Sequence, residues 1–160
     1  MNVQHYLDYL LEFLKEIRSF NSILIKEEIL KKWWKQEQEW KTRYTDCNEL
    51  ERMLHYVYDA DKQYNITSEQ VLKGYNKQAS GIFEESMYQI LRFKLWGLLD
   101  KLSSKEFSGQ FAVEVVNKFL TWHSPEHKKL ILDIIDKDIK CGLTIETIVS
   151  VIPDFLVSKV

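Results

Sequence analysis

This 160-residue chain contains a pair of histidines whose type and spacing could do chemistry. His123 and His127 are four positions apart, and two imidazoles at that spacing on one helix can bind zinc. Ser124 and Pro125 lie between them, and this pair of residues predicts that a new helix begins there. We therefore expect the two imidazoles to lie on different helical faces, and we predict no metal site.

Three aspartates, at positions 133, 136 and 138, could provide the carboxylates of a hydrolase. Asp133 and Asp136 are each followed four positions later by a lysine, Lys137 or Lys140. Acid-first pairs at this spacing stabilise an exposed helical face, which is the interpretation that we favour. Because the sequence also contains no Walker pattern and no G-x-S-x-G motif, a hydrolase is the least favoured hypothesis.

Basic residues and tryptophans alternate in the segment KKWWKQEQEWKTR and could bind a polyanion. The additional candidate phosphate contacts here are Lys31, Lys32 and Lys35. Alternatively, Trp33 and Trp34 fill the core while the lysines line the outer face. We favour this alternative for the tryptophans because large aromatic side chains dominate core burial.

The segment KDIKCGLTIETI, residues 137–148, predicts two helices joined by a very short connection. The first helix is expected to end at Gly142, a left-handed C-cap, and the second to begin at Thr144. The backbone N–H groups of Leu143 and Thr144 would then point outward at a positive helix terminus, with Lys140 alongside. This arrangement predicts an anion site.

The segment SSKEFSGQ, residues 103–110, predicts a second site of the same kind at the start of the following helix. Lys105 supplies a positive charge, while Ser108 and the permissive Gly109 precede the first helical turn. Taken alone, each of the two segments is more simply a corner between helices.

Helices must position these residues, because apolar side chains recur at three- and four-residue steps along nearly the whole chain. Five glycines and two prolines are too few for an all-β chain with many tight turns. We predict an all-α fold, a compact bundle of about eight helices that forms one domain over residues 1–160. The predicted helices cover about residues 6–17, 22–34, 50–58, 67–74, 83–102, 111–120, 125–139 and 144–152, with a long loop at 76–81. The residues Thr67-Ser68-Glu69-Gln70 fit a capping box that opens the fourth of these helices.

Composition indicates a cytoplasmic protein with no membrane partner. The net charge is −2, so any phosphate site must be a local patch. Cys47 and Cys141 lack metal-binding spacing and are interpreted as reduced thiols. Asp8, Glu12 and Glu16 interrupt the apolar pattern of the N-terminus, which argues against a signal peptide or a membrane span.

Three segments of the chain form a recognisable series. They are LLEFLKEIRSFNSILIKEEILKK, then ELERMLHYVYDADKQYNI, then SPEHKKLILDIIDKDIKCGLTIETIVSVIPDF. The last is the most specific, with an acid and a base before Cys-Gly, a hydroxyl residue, and a final helix closed by proline. Together with SGQFAVEVVNKFL, the series resembles the N-terminal α-helical DNA-binding domain of ATP-dependent DNA ligases of the T-even bacteriophage type, over most of residues 7–155.

The resemblance implies a domain that binds duplex DNA around a nick through the sugar–phosphate backbone, with little sequence preference. Two groups of residues would contact phosphates. The first group is Lys140, Gly142, Leu143 and Thr144, and the second group is Lys105, Ser108, Gly109 and Gln110.

The same resemblance implies that the catalytic half of a ligase, its adenylation and OB domains, is absent from this chain. Adenylation in the family needs a Lys-x-Asp-Gly motif, and none of the five glycines follows an aspartate. The chain would then be either an excised domain of a larger ligase or a stand-alone protein that kept only the DNA-binding module. ATP and Mg²⁺ would belong to the missing domains. We therefore expect a non-catalytic monomer without cofactors, which binds double-stranded or nicked DNA in replication, repair and recombination, in the host cytoplasm if it is phage-encoded.

An alternative function from another class is a helical protein-interaction module that does not bind DNA. Such a module would use the aromatic surface of Trp33, Trp34 and Trp40 to bind a replication clamp or a host factor.

Overall fold

The computed structural model describes residues 5–41, 48–74 and 94–155. Within these ranges it contains eight α-helices and no β-strand, so the prediction of an all-α fold is confirmed there. The helices are α1 (Tyr6–Arg18), α2 (Ile23–Lys41), α3 (Glu49–Tyr58), α4 (Ser68–Gly74), α5 (Leu95–Ser103), α6 (Gly109–Leu120), α7 (Pro125–Ile135) and α8 (Ile145–Val151). None of these described helices is both long enough and apolar enough to cross a lipid bilayer.

The described helices fall into two compact units. The first unit, Met1–Asp59 with Ile139–Val160, contains α1, α2, α3 and α8. The second unit, Ala60–Asp138, contains α4, α5, α6 and α7. The division of the whole chain into one domain or more stays a prediction.

The apolar stripe of α1 forms the centre of the first unit. Leu7, Leu10, Leu14 and Ile17 are fully buried, and α1 packs against both α2 and α3. Truncating a leucine at such a site to alanine typically costs about 2–5 kcal/mol. At the end of α1, the Arg18 guanidinium donates two hydrogen bonds to the Ile139 carbonyl, which ties the returning chain segment to this unit.

A buried carboxylate connects three helices of the first unit. Glu37 on α2 is 1% exposed. Its Oε2 accepts hydrogen bonds from the Tyr9 hydroxyl at 2.9 Å and from the Leu50 N–H at 2.6 Å. Because Leu50 lies in the first turn of α3, the side chain of Glu37 satisfies an N–H group that the helix itself leaves without an acceptor.

In the second unit, helix α4 begins with the predicted capping box. The Gln70 N–H donates to Thr67 Oγ1 at 3.2 Å, and the Thr67 N–H donates back to Gln70 Oε1 at 2.9 Å. At its other end α4 approaches α6 so closely that a Cβ on Gly74 would lie 2.2 Å from Val113 Cγ1. Glycine at this position therefore permits the packing of the two helices.

The uninterrupted helix predicted over 83–102 is wrong at its middle. Lys94 has an extended backbone, and α5 begins only at Leu95. One extended residue leaves the apolar period of the sequence intact, so periodicity could not reveal it. The remainder of this prediction, at 83–93, and the loop predicted at 76–81 lie outside the described residues.

The helix predicted to run from Pro125 through Ile139 is also too long, because α7 ends at Ile135. A Schellman motif stops it: Lys137 is left-handed with φ +60°, its N–H donates to Ile134 O, and the Asp138 N–H donates to Asp133 O. Lys137 therefore takes the role predicted for Gly142.

The helical acid–lysine pairs predicted for this segment are consequently wrong. Lys137 and Lys140 both lie beyond the end of α7. Asp136 instead accepts hydrogen bonds from the N–H and the hydroxyl of Ser68, at the start of α4. Lys137 Nζ donates to the carbonyl of Lys62.

Candidate nucleic-acid interface

The first predicted phosphate site, the loop Lys140–Thr144, belongs to the first unit. Two left-handed residues turn its backbone, Lys140 with φ +54° and Gly142 with φ +72°. Lys140, Gly142 and Thr144 are exposed, whereas the side chain of Leu143 is buried. Leu143 can therefore offer a ligand its backbone but not its side chain.

Thr144 caps α8 as predicted, because its Oγ1 accepts the Thr147 N–H at 3.2 Å. Gly142 is left-handed as predicted, but it lies in the loop and caps no helix. Among the described residues, the N–H groups of Leu143 and Thr144 have no protein acceptor. The loop thus offers backbone donors next to the exposed side chain of Lys140.

Hydrogen bonds from α3 hold this loop in place. The Tyr58 hydroxyl donates to Leu143 O at 2.8 Å and lies 3.2 Å from the Cys141 sulfur. Cys141 itself is buried. Because one tyrosine contacts two residues of the loop, the exposed backbone is fixed from its inner side.

A buried lysine lies beneath the loop. Lys26 on α2 is 8% exposed, and its Nζ donates to Cys141 O at 2.7 Å. The sequence does contain a signal for this residue: Lys26 stands at an inward position of α2, three and four residues before the buried Ile29 and Leu30. What periodicity could not supply is its partner, which is 115 positions away in sequence.

The second predicted phosphate site, residues 105–110, belongs to the second unit. Lys105 and Gly109 are left-handed, with φ +64° and +61°. Lys105, Ser108, Gly109 and Gln110 are all exposed. Buried Phe107 lies between these two left-handed residues and anchors the turn. Its ring packs edge-on against that of Phe111, with the ring centroids 5.4 Å apart.

The start of α6 differs from the start of α7, although both helices have a serine N-cap. The Ser108 side chain accepts no hydrogen bond from its own helix, whereas Ser124 Oγ accepts the His127 N–H at 3.2 Å. A Cβ on Gly109 would have no heavy atom within 4 Å, so the backbone there is open to a ligand. A groove of about 360 Å³, lined by Gln70, Gly109 and Gln110 among others, lies beside it.

Two of the three additional candidate phosphate-binding lysines in α2 form ion pairs within the protein. Lys31 Nζ lies 3.4 Å from Glu28, and Lys32 Nζ lies 2.6 Å from Glu16. Lys35 is exposed. These ion pairs reduce the charge that Lys31 and Lys32 can offer to a phosphate.

The tryptophans of α2 agree in part with the core interpretation. Trp33 packs against Tyr9 and Phe13, with ring centroids 5.3 and 5.6 Å apart, as predicted. The indole nitrogens of Trp33 and Trp34 are both buried. Trp40 is 37% exposed and keeps a ring contact with Tyr9 at 6.0 Å.

The two histidines lie as predicted, on opposite sides of a helix start. His123 precedes the N-cap Ser124, and His127 is in the first turn of α7. Their ring centroids are 6.1 Å apart, and His123 Nδ1 lies 2.8 Å from Phe119 O. Across the described ranges, no group of three or more histidine, cysteine, aspartate and glutamate side chains could hold a metal ion.

Comparison with known proteins adds no relative to this description. The resemblance to ligase DNA-binding domains therefore stays a prediction from the residues quoted above. No protein-family model matches the chain, and no curated protein matches it.

Proposed function

We propose that the chain binds double-stranded and nicked DNA through backbone phosphates, without sequence preference, as the N-terminal domain of an ATP-dependent DNA ligase. One observation carries the proposal. Both segments that the resemblance selects, 140–144 and 105–110, have exposed backbone turned by left-handed residues, with an exposed lysine in each. Backbone N–H groups and lysine ammonium groups are the donors that bind phosphate oxygens.

The chemistry of such contacts explains the expected lack of sequence preference. Backbone N–H groups and lysines that reach phosphates position a protein on the duplex but do not read base edges.

The chain has a net charge of −2, so a phosphate site is favoured where the nearby acids are already paired with lysines. Within the second segment, Glu106 is paired with Lys101 at 2.8 Å. Lys105 is exposed and has no ion-pair partner among the described residues. The charge of Lys105 therefore remains directed to solvent, where a phosphate can reach it.

The proposal is tested by the salt dependence of binding to a short, fluorescently labelled nicked duplex, followed by anisotropy. We expect log K to fall linearly with log salt concentration, with a slope of about −2 to −4, because each neutralised phosphate contributes about −0.9. Lys140→Glu and Lys105→Glu should each weaken binding to all duplex sequences alike.

Lys15→Glu is the matched control, since Lys15 is an exposed lysine of α1 outside both segments. It should change the affinity much less than either of the other reversals. An affinity that does not respond to salt, or a Lys140→Glu variant that binds as tightly as the native chain, would contradict the proposal. Loss of binding to one sequence only would indicate base readout instead.

We further propose that the chain acts as a monomer. We also propose that it joins no DNA by itself, because it lacks the Lys-x-Asp-Gly motif that receives the adenylate. Incubation with radiolabelled ATP and Mg²⁺ should leave the chain unlabelled. The replication, repair and recombination roles, and a cytoplasmic location, follow from the ligase resemblance and belong to this proposal.

A second candidate, a protein-interaction module, is favoured by an exposed apolar patch on the first unit. Phe20, Ile23, Leu24 and Ile25 are 40%, 60%, 73% and 42% exposed. Part of this patch lines a groove of about 570 Å³. Tryptophan fluorescence separates the two functions: an interaction module would respond to a protein such as a replication clamp and stay unchanged on addition of nicked DNA.

A further inference from the structure

The ammonium of buried Lys26 has a single hydrogen bond among the described residues, and this bond does not account for the burial of a charged group. Burying a charged amine is unfavourable unless an opposite charge or several acceptors compensate it. Lys26 Nζ donates to the neutral carbonyl of Cys141, and it forms no ion pair within the described residues. An ammonium has three N–H donors, so this carbonyl uses one of them and leaves the positive charge uncompensated.

Gly142 brings that charge close to the surface. An added Cβ on Gly142 would lie 2.9 Å from Lys26 Nζ and 3.3 Å from Cε. The end of the lysine thus lies in tight contact with the position that a Cβ of any other residue would take. Gly142 is itself exposed, so the ammonium lies next to an exposed residue that has no side chain.

Hydrogen bonds from two other helices hold the loop in this geometry. Tyr58 donates to the Leu143 carbonyl, and Arg18 donates to the Ile139 carbonyl. The exposed side chain of Lys140, two residues before Gly142, adds a second positive charge at the same turn. An anion that approaches Gly142 would therefore be attracted by one surface ammonium and one ammonium beneath the backbone.

We propose that Lys26 is a further phosphate-binding residue, whose ammonium contacts an oxygen of a DNA phosphodiester across the open face of Gly142. This inference rests on the proposed function, since the phosphate is taken to be that of duplex DNA. Gly142 is then required for two reasons: its φ of +72° suits glycine, and the absence of a side chain leaves space for the ammonium.

A purely structural lysine would behave differently. If Lys26 only tethers Cys141, its removal would loosen the loop without changing the number of counterions that DNA releases on binding. A lysine that touches a phosphate releases one counterion equivalent, which appears in the salt dependence. The slope of log K against log salt is therefore the measurement that separates the two roles.

The experiment compares Lys26→Met with the native chain on the same labelled nicked duplex over a range of salt concentrations. Methionine keeps most of the side-chain volume and removes the charge. We expect binding about ten- to a hundredfold weaker at low salt and a slope smaller by about 0.9. Lys15→Met, an exposed lysine of the same unit, is the control and should leave the slope unchanged.

Gly142→Ala is the second variant, needed in case Lys26→Met does not fold. It keeps the lysine but places a methyl group against the ammonium, so we expect the same decrease in slope. Backbone strain alone would weaken binding without changing the slope. A native slope in a folded Lys26→Met chain, or in Gly142→Ala when the first variant is unfolded, overturns the inference.

Failure of the inference differs from failure of the proposed function. If the native chain binds no duplex, or binds independently of salt, the proposed function fails and the inference falls with it. If the native chain binds with the expected salt dependence and Lys26→Met keeps the same slope, DNA binding stands and Lys26 is structural.

Discussion

At the scale of single residues, the two charged side chains on the inward face of α2 are the most informative. Lys26 and Glu37 are both nearly fully buried, at 8% and 1% exposed, and both serve partners outside their own helix. Their inward positions could be recognised from the sequence, because they continue the apolar stripe of Leu30 and Trp33. Their partners could not, since Cys141 and the first turn of α3 are brought to them by the tertiary fold.

Glu37 carries a prediction about pH. Burial raises the pKa of Glu37 to about 7, although hydrogen bonds from Leu50, Tyr9 and Glu51 lower it and the charge of Glu49 raises it further. The unfolded chain releases this proton near the ordinary glutamate pKa of 4.5, whereas the folded chain keeps it until about 7. Between these two values the folded state binds more protons, so the contribution of Glu37 to stability falls as pH rises.

Replacing Glu37 with glutamine should remove this dependence. The difference in free energy of unfolding between the native chain and Glu37→Gln should change by about 3 kcal/mol between about pH 4.5 and about pH 7, and then stay constant. Urea unfolding at several pH values measures it. Glu39→Gln, an exposed neighbour, is the control; parallel pH profiles for Glu37→Gln and the native chain would contradict the prediction.

At the scale of elements, helix starts were predictable and some helix ends were not. Ser124, Thr144 and the Thr67–Gln70 capping box follow local rules of hydrogen bonding, and the structure confirms all three. The end of α7 depends instead on Lys137, a residue that seldom adopts a left-handed conformation. Its side chain reaches the Lys62 carbonyl and Asp136 reaches Ser68, and these contacts between distant segments were not visible in the sequence.

The contrast between two serine N-caps gives a prediction for the second unit. Ser124→Ala should lower the free energy of unfolding by about 1 kcal/mol, because it removes the bond to the His127 N–H. Ser108→Ala should lower it by less, since the Ser108 side chain makes no such bond. Thermal unfolding of both variants checks this expectation, and equal losses of stability would contradict it.

At the scale of the whole molecule, the near-neutral charge and the exposed apolar patch both bear on association. Single exposed apolar side chains are common, but four within six positions can mark an interaction surface. The proposed function nevertheless needs only a monomer, since each phosphate segment is built within one unit of one chain. Sequence reasoning found these segments, while the lysine beneath one of them required the tertiary structure.

The monomer prediction is checked by sedimentation velocity over a range of protein concentrations. We expect one species at the mass of a single chain. Leu24→Lys, at the most exposed position of the patch, should leave both the sedimentation coefficient and the DNA affinity unchanged. A native dimer that Leu24→Lys converts to monomer would show instead that the patch joins two copies.

The order of the two units along the chain has a consequence for synthesis. The ribosome releases α1–α3 first, yet the Lys26, Tyr58 and Arg18 side chains must await acceptors between Ile139 and Leu143. The second unit is one continuous segment, Ala60–Asp138. It can therefore begin to collapse while the first unit still lacks the segment that starts at Ile139. Until α8 is made, the surface of α2 against which it packs stays exposed on the nascent first unit, which favours aggregation.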